Sequence, residues 1–321
     1  MPHHQTRYTR LMRALLAALL FATLLHAAEY PKAFLKDQQI WLQLDADHPP
    51  LQASHSPGGS FHSGPIISPD GNTIAYGVRE PTDPQHMTPL RLVFIDWSGR
   101  ELRRFEKVPI DEYGACGYAG IEWIDSIRLG VECEYNPSVE YYVILDSASG
   151  KVLNQYSGLY FSWSPDRRTL AHVGHVMHFA APAAQNYCLL FNDKPVYTPG
   201  CRSMVDAVPG RKTGPRRFPN IHTIDDPLLW SPNGQKIAFL VDVYDFIWDT
   251  PENGEEKQDI VNSRKYLAVV PFTGPARGYR ITEPLNGSEK LTWLDNRRLE
   301  LHLKSGPRVF DLAADPPRPI P

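Results

Sequence analysis

Short apolar runs separated by tight turns recur along the chain from about residue 62 to residue 312. The clearest example is LLWSPNGQKIAFLVDV at 228–243, which predicts a strand, a turn and a second strand. Similar stretches are ISPDGNTIAYGV at 67–78 and FSWSPDRRTLAHVG at 161–174, and weaker ones begin at residues 121 and 291. In such turns proline presets φ, Asp or Asn caps its own backbone, and glycine accepts a positive φ. No window after residue 30 has a sustained period of 3.6 residues, so the pattern indicates strands rather than helices.

Each hairpin is followed by further short strands, which divides the chain into five units. The units cover residues 62–106, 118–156, 159–198, 226–282 and 289–312. Repeats of four short strands predict an all-β fold, a β-propeller with five blades of four-stranded antiparallel sheets. The alternative is six blades, if residues 199–225 contain degenerate strands. Unit five lacks a fourth strand, and we expect the isolated strand at 39–45 to supply it and close the ring. The alternative for this strand is a stray edge.

The turn Trp-Ser-Pro-Asp/Asn-Gly before an Ile-Ala-Phe strand resembles the repeat of TolB-like (WD40-like) β-propeller proteins. SPDG at 68–71, WSPD at 163–166 and WSPNG at 230–234 carry this resemblance, which implies a propeller over about 62–312. Units two and five lack the Ser-Pro. Nothing before residue 62 could form the α/β domain of TolB, so TolB's role and partners are not implied. Propellers of prolyl-oligopeptidase-type enzymes share a related repeat, but this chain has no Gly-x-Ser-x-Gly elbow.

Residues 1–28 predict a cleavable signal peptide, which leaves 29–321 as a single propeller domain. Three arginines precede the apolar run at 14–25, and small residues follow it at 27–28. The run is too short for a membrane-spanning anchor, which needs about 20 residues. Cleavage after Ala27 or Ala28 would remove three arginines and no acid, taking the formal charge from −3 to −6. We therefore expect a periplasmic or secreted protein that has no stable membrane anchor and does not bind nucleic acid.

The four cysteines predict two disulfide bonds, because an exported chain meets an oxidising compartment. Cys116 and Cys133 flank the first predicted hairpin of unit two, and Cys188 and Cys201 flank the last predicted hairpin of unit three. Both pairs fall nearly opposite each other in antiparallel register, where the Cα separation suits a disulfide. The alternative is buried free thiols.

The long loops all fall on one side of the predicted blades, at 79–89, 107–117, 175–186, 199–225 and 244–264. Long loops on a rigid scaffold commonly carry binding residues, so we expect a binding face there. Two loops supply the candidates. These binding residues are Arg211, Lys212, Arg216 and Arg217 in a basic loop, and Asp242, Tyr244, Asp245 and Trp248 in an acidic and aromatic one. Alternatively, the charges neutralise each other and the aromatic side chains cover the core of their own blade.

No catalytic, metal or cofactor motif stands out. His172, His175 and His178 have metal-like spacing, but on a strand they would not share one face. Asp242 and Asp245 could hold calcium through oxygen ligands, but one acidic loop without a fixed ligand pattern is a weak signal. We therefore expect no metal and no cofactor. The preferred hypothesis is a monomeric, exported, soluble propeller that binds a protein or peptide. The alternatives are a hydrolase or lyase acting on a sugar or lactone at the channel mouth, and a purely structural module of an envelope assembly.

Overall fold

The fold is all-β throughout the part of the chain that the structure, a computed structural model, describes. These residues are 30–58, 60–80, 89–110, 116, 118–136, 139–175, 187–197, 214–250, 257–283, 285 and 289–320, and none of them is helical. Accordingly, these ranges hold no helix with the length and hydrophobicity needed to cross a membrane. The predicted signal peptide, residues 1–28, lies outside them.

Strands make up most of this described part. In chain order they are β1 (Lys32–Lys36), β2 (Gln39–Gln43), β3 (Leu51–Gln52), β4 (Phe61–His62), β5 (Ile66–Ile67), β6 (Ile74–Arg79), β7 (Arg91–Ile95), β8 (Glu101–Phe105), β9 (Tyr118–Trp123), β10 (Arg128–Asn136), β11 (Val139–Asp146), β12 (Val152–Trp163), β13 (Leu170–His175), β14 (Tyr187–Phe191), β15 (Lys194–Tyr197), β16 (Gly214–Trp230), β17 (Lys236–Thr250), β18 (Lys257–Pro271), β19 (Arg277–Ile281), β20 (Lys290–Trp293), β21 (Arg298–Leu303), β22 (Gly306–Asp311) and β23 (Arg318–Pro319).

These strands form several antiparallel sheets, which confirms the all-β antiparallel prediction. The strand orders are β1-β2-β3, then β4-β6-β7-β8 with β5 also pairing β6, then a seven-stranded sheet from β9 to β15 in sequence order, then β16-β17-β18-β19-β23, and finally β20-β21-β22. The chain forms two compact units. The first is residues 1–129 with 147–150, and the second is 130–146 with 151–321.

In the first compact unit, the strand that was predicted to be isolated at 39–45 pairs with two other strands. β2 pairs with β1 and with β3, so the prediction that it completes the sheet of unit five is wrong within the described residues. The reason is a hairpin that we did not recognise, in which Asp37 and Gln38 both have positive φ, as in a two-residue primed turn. Ile40 and Leu42 of β2 pack on the β4–β8 sheet and are essentially inaccessible to solvent.

In the second compact unit, one continuous strand replaces two predicted ones. β12 provides both the last strand of the second predicted repeat and the first strand of the third predicted repeat. The register shifts between Leu159 and Ser162, and Tyr160 has a φ of 56°, so a bulge turns the strand from one sheet segment to the next. Gly158 is required just before this bulge, because a Cβ there would lie 2.5 Å from the Val173 carbonyl oxygen.

The core of the second unit is built on both faces of β17. Ile237, Phe239 and Val241 face β12–β15, while Ala238 and Leu240 face β20–β22. Successive residues of a strand point to opposite faces. A strand that is covered on both sides therefore needs apolar residues at every position, which explains the run IAFLV after Lys236. Phe239 is completely buried, and burial of one such side chain stabilises the fold by about 2 to 3 kcal/mol.

The Ser-Pro turns that define the repeat share one hydrogen-bond pattern. The serine hydroxyl donates to the Asp or Asn two residues later and accepts the backbone N–H five residues later. In the turn that begins at Ser231, these distances are 2.9 and 3.0 Å. The turns at Ser68 and Ser164 repeat both bonds. The motif therefore serves to close each hairpin.

The weaker turns of units two and five use a different device. Asp125 and Asp295 each accept backbone N–H groups two and three residues later through one carboxylate oxygen. The other oxygen bonds the arginine three residues later, at 2.6 Å for Arg128 and 2.7 Å for Arg298. An Asx turn supported by arginine thus replaces the missing Ser-Pro.

The recurring tryptophans connect successive units. Trp230 Nε1 donates to the Ser162 carbonyl at 3.0 Å, and Trp293 Nε1 donates to the Leu229 carbonyl at 2.9 Å. Each acceptor directly precedes the tryptophan of the preceding unit. These two indoles therefore join successive repeats.

Candidate functional site

The predicted binding residues lie on an extension of β16, β17 and β18, which we call the hairpin extension: residues 214–224, 242–250 and 257–264. The predicted loops at 199–225 and 244–264 are therefore wrong for these residues, which are paired strands, while 199–213 and 251–256 lie outside the described residues. The sequence VDVYDFIWD is rich in β-branched and aromatic residues, which favour strands, and every second residue from Tyr244 to Trp248 is aromatic. Its acid content had suggested a loop.

One face of the hairpin extension is a small apolar core. Its buried members are Phe218, Ile221, Tyr244, Phe246 and Trp248. The Phe218 and Phe246 rings lie 6.1 Å apart, on adjacent strands in direct register. Tyr244 and Trp248 are each 5% exposed, and burial raises the pKa of the Tyr244 hydroxyl. In this structure the two predicted aromatic contacts therefore contribute to packing inside the extension.

The opposite face holds a buried carboxylate surrounded by donors. Asp245 accepts hydrogen bonds from Arg217 Nη2, from Asn262 Nδ2 at 2.8 Å and from the Asn220 backbone N–H at 3.1 Å. The hydrogen bond from Arg217 is the main cause that lowers the Asp245 pKa to about 2. The structure thus brings together one predicted basic residue and one predicted acidic residue as an ion pair.

Two asparagines set the geometry around Asp245. The strand register shifts between Phe218 and Ile221 in β16 and between Val243 and Asp245 in β17. Asn220 and Asn262 have φ values of 53° and 56°, in the left-handed region that asparagine tolerates better than most residues. These bulges aim the Asn220 N–H and the Asn262 amide at the carboxylate.

A second charged group lies at the base of the extension. Asp242 Oδ2 is 2.6 Å from Lys265 Nζ on the neighbouring strand. The Asp242 Oδ1 atom is buried and has no hydrogen-bond partner in the part of the chain that the structure describes. Burial, reinforced by the Asp242 charge, raises the pKa of nearby Asp225. This group was only partly recognised from the sequence, because Asp225 and Lys265 were not among the predicted residues.

The outer strand of the extension is exposed. Residues 257–264 of β18 pair with β17 on one side, and β19 pairs with β18 only from Lys265 onward. Within the described ranges no strand pairs with the other edge of 257–264. Ile260, in the middle, is 54% exposed although it lies in register with the buried Phe246. This edge was not predicted, because residues 244–264 were interpreted as a loop.

The structure describes only some of the remaining predicted site residues. Arg211, Lys212, His178 and Cys201 lie outside the described residues, and only the backbones of Arg216 and His175 are described. Arg216 is in register with Trp248. His172 is buried, stacks on Phe161 with ring centroids 5.6 Å apart, and lies 3.2 Å from Asp193. Among the described side chains, no group of three or more His, Cys, Asp or Glu could hold a metal ion.

The described cysteines are all oxidised. Cys116, Cys133 and Cys188 are each disulfide-bonded. Cys116 and Cys133 are completely buried. The disulfide prediction is therefore supported in kind, and the specific pairings of Cys116 with Cys133 and of Cys188 with Cys201 stay predictions.

Comparison with known proteins gives structural matches only. No protein-family model and no curated protein matches the chain. The tricorn protease structure matches with a TM-score of 0.40 and 12% identity, over 88% of this chain and 32% of that one. The β-propeller domain of the Trilobed protease from Pyrococcus furiosus gives 0.34 and 11%, over 87% and 89%. The Dos1 propeller gives 0.30 and 12%, over 80% and 68%. Because each TM-score is below 0.5, we take neither fold nor function from these matches.

Proposed function

We propose that this chain is an exported, soluble β-propeller that binds an extended segment of a protein or peptide partner along the hairpin extension. The proposal includes a five-bladed, TolB-like propeller, a cleaved signal peptide and a monomer in the periplasm or outside the cell. The repeated Ser-Pro turns and the tryptophan bonds between successive units support the repeat architecture.

One observation carries the binding proposal: the outer edge of residues 257–264. Residues 257–261 pair with β17 in continuous register, so this part of the strand is held in an extended conformation and presents a row of backbone groups. A sheet edge that no described strand covers is the usual template for strand addition, in which main-chain hydrogen bonds provide affinity and alternate side chains provide specificity. The edge therefore suits a partner segment that is itself extended.

The side chains of this edge indicate the chemistry of the partner. Ile260 is exposed on one face of the strand, where it would contact an apolar residue of the incoming strand. Lys257 and Asp259 place opposite charges on the other face, since residues two apart share a face. We expect the partner to carry an apolar residue on one face and charges complementary to Lys257 and Asp259 on the other.

A point substitution tests the edge without removing a strand. Wild type, Ile260→Asp and Leu153→Asp would each be used to capture proteins from an envelope fraction. Binding of the recovered partner would then be measured with purified components. Leu153 is the matched control, because it is 48% exposed on β12. We expect Ile260→Asp to weaken binding at least tenfold and Leu153→Asp to leave it unchanged. Equal affinity of all three proteins, or no specific partner, would contradict the proposal.

A further inference from the structure

A polar pocket of about 290 Å³ lies in the first compact unit, whereas the hairpin extension belongs to the second. Its floor is one face of the β6-β7-β8 sheet, where Tyr76, Val93 and Arg104 form one cross-strand row. Residues 53–57, which follow β3, line its other side. The volume is close to the lower end of the range for small-molecule sites.

Four charged side chains line the pocket with alternating signs. Arg91 Nη2 is 2.6 Å from a Glu80 carboxylate oxygen, and Arg104 Nη2 is 2.6 Å from Glu101. Each of these contacts uses one guanidinium nitrogen, so further N–H donors of both arginines remain for a ligand. Arg91 and Arg104 are diagonal neighbours on adjacent strands, a separation that long side chains can span. One anionic group could therefore contact both.

Tyr76 provides a further hydrogen-bonding group in the pocket. The residue is only 6% exposed, and it lines the pocket. Its ring contacts His62, but among the described residues its hydroxyl has no hydrogen-bond partner. Burial raises the Tyr76 pKa to about 12, so the hydroxyl keeps its proton and can both donate and accept. The hydroxyl oxygen is not enclosed by protein, so it is open to the pocket, where a bound ligand would supply its hydrogen-bond partner.

Several groups in the wall formed by residues 53–57 already have hydrogen-bond partners within the protein, so this wall is preformed. The Ala53 N–H donates to the Ile40 carbonyl at 2.8 Å, and the Ser54 hydroxyl donates to Gln39 at 2.8 Å. Ser56 and His62 are joined by a 2.9 Å hydrogen bond between Oγ and Nε2. The segment is thus held mostly by its own bonds, while Tyr76 and the two arginines are donors on the side of the pocket formed by the sheet.

We propose that this pocket binds a small zwitterion of the size of a free amino acid or a dipeptide. Its carboxylate lies between Arg91 and Arg104 and accepts from Tyr76, and its ammonium group faces Glu80 and Glu101. A simple anion fits less well, because the two carboxylates of the lining balance the two guanidinium charges. A neutral sugar could use the same donors, but it would leave the alternating charges without a counterpart.

Calorimetric titration of the full chain tests this proposal. The probes are the twenty L-amino acids and alanyl-alanine, followed by the N-acetylated and C-amidated forms of the best ligand. We expect at least one zwitterion to bind with a Kd below 1 mM, and each blocked form to bind about tenfold or more weakly, because it loses one charged contact.

Variants locate the binding. We expect Arg104→Gln to weaken binding about tenfold to a hundredfold and Tyr76→Phe about threefold to tenfold. Arg128→Gln is the matched control, since Arg128 forms an equivalent pair with Asp125 outside the pocket. The proposal is overturned if no zwitterion binds, if Arg104→Gln has no more effect than Arg128→Gln, or if glucose, galactose or N-acetylglucosamine binds and the amino acids do not. None of these results depends on the hairpin extension.

Discussion

Asp245 shows how a single carboxylate holds the hairpin extension together. It is 6% exposed and receives three hydrogen bonds from residues on both neighbouring strands. Arg217 is more than half exposed, so solvent screens part of the ion pair. We expect Asp245→Asn to lower the free energy of unfolding by about 1 to 2 kcal/mol, because an amide nitrogen would face the donors. Urea unfolding measures this, with the exposed Asp259→Asn as control, which should change it by less than about 0.5 kcal/mol.

The same residue gives that prediction a pH dependence. The Asp245 pKa in the folded protein is about 2, lowered from 3.8, so folding favours the ionised form. Its contribution is therefore complete above about pH 4 and is lost as the pH falls towards 2. The stability difference between wild type and Asp245→Asn should shrink over that interval. A difference that stays constant from pH 5 to pH 2 would show that the charge of Asp245 does not matter.

At the scale of the element, close packing between neighbouring strands leaves no room at Gly130 of β10. A Cβ at Gly130 would lie 1.8 Å from the Tyr142 hydroxyl oxygen, and that hydroxyl accepts the Trp163 Nε1 hydrogen bond at 2.7 Å. We expect Gly130→Ala to destabilise the fold by about 2 to 3 kcal/mol, since Tyr142 is buried and cannot move freely. Gly64→Ala is the control, because nothing lies within 4 Å of its Cβ. Equal unfolding midpoints for the two variants would contradict this packing argument.

Local sequence patterns predict hairpins that are formed by a few adjacent residues. They miss elements whose pairing the local sequence does not indicate. The Ser-Pro turns and their flanking strands follow from a few adjacent residues, and the structure has them. The pairing of β1 with β2 was missed because Asp37 and Gln38 do not form a typical turn sequence. The β-branched and aromatic residues from Val241 to Trp248 favour a strand, but we gave more weight to the acidic residues of this segment.

At the scale of the whole molecule, the sites depend on strand register that no short segment determines. Arg217 meets Asp245 because it is in register with Ile247, two residues away on the same face of β17, and the bulges near Asn220 and Asn262 bring two further donors to this carboxylate. Likewise, the pocket around Tyr76 requires residues 53–57, which lie about twenty positions earlier, to cover the β6–β8 face. Asp245 and Arg217 were both predicted as binding residues, but their contact with each other was not predicted. The pocket around Tyr76 was not predicted either.

Oxidation of the cysteines connects the stability of the whole chain to the compartment proposed for it. The three described cysteines are disulfide-bonded, and two of them are completely inaccessible to solvent. Alkylation in urea without reductant distinguishes disulfides from buried thiols, because unfolding exposes both while only thiols react. We expect no alkylation, and peptide maps that link Cys116 to Cys133 and Cys188 to Cys201. Each loop of about 15 residues stabilises the fold by about 3 kcal/mol in the chain-entropy model, so reductant should lower the urea midpoint markedly. Four reactive thiols would contradict both the pairing and the argument for export, because a reducing compartment would then suit the chain equally well.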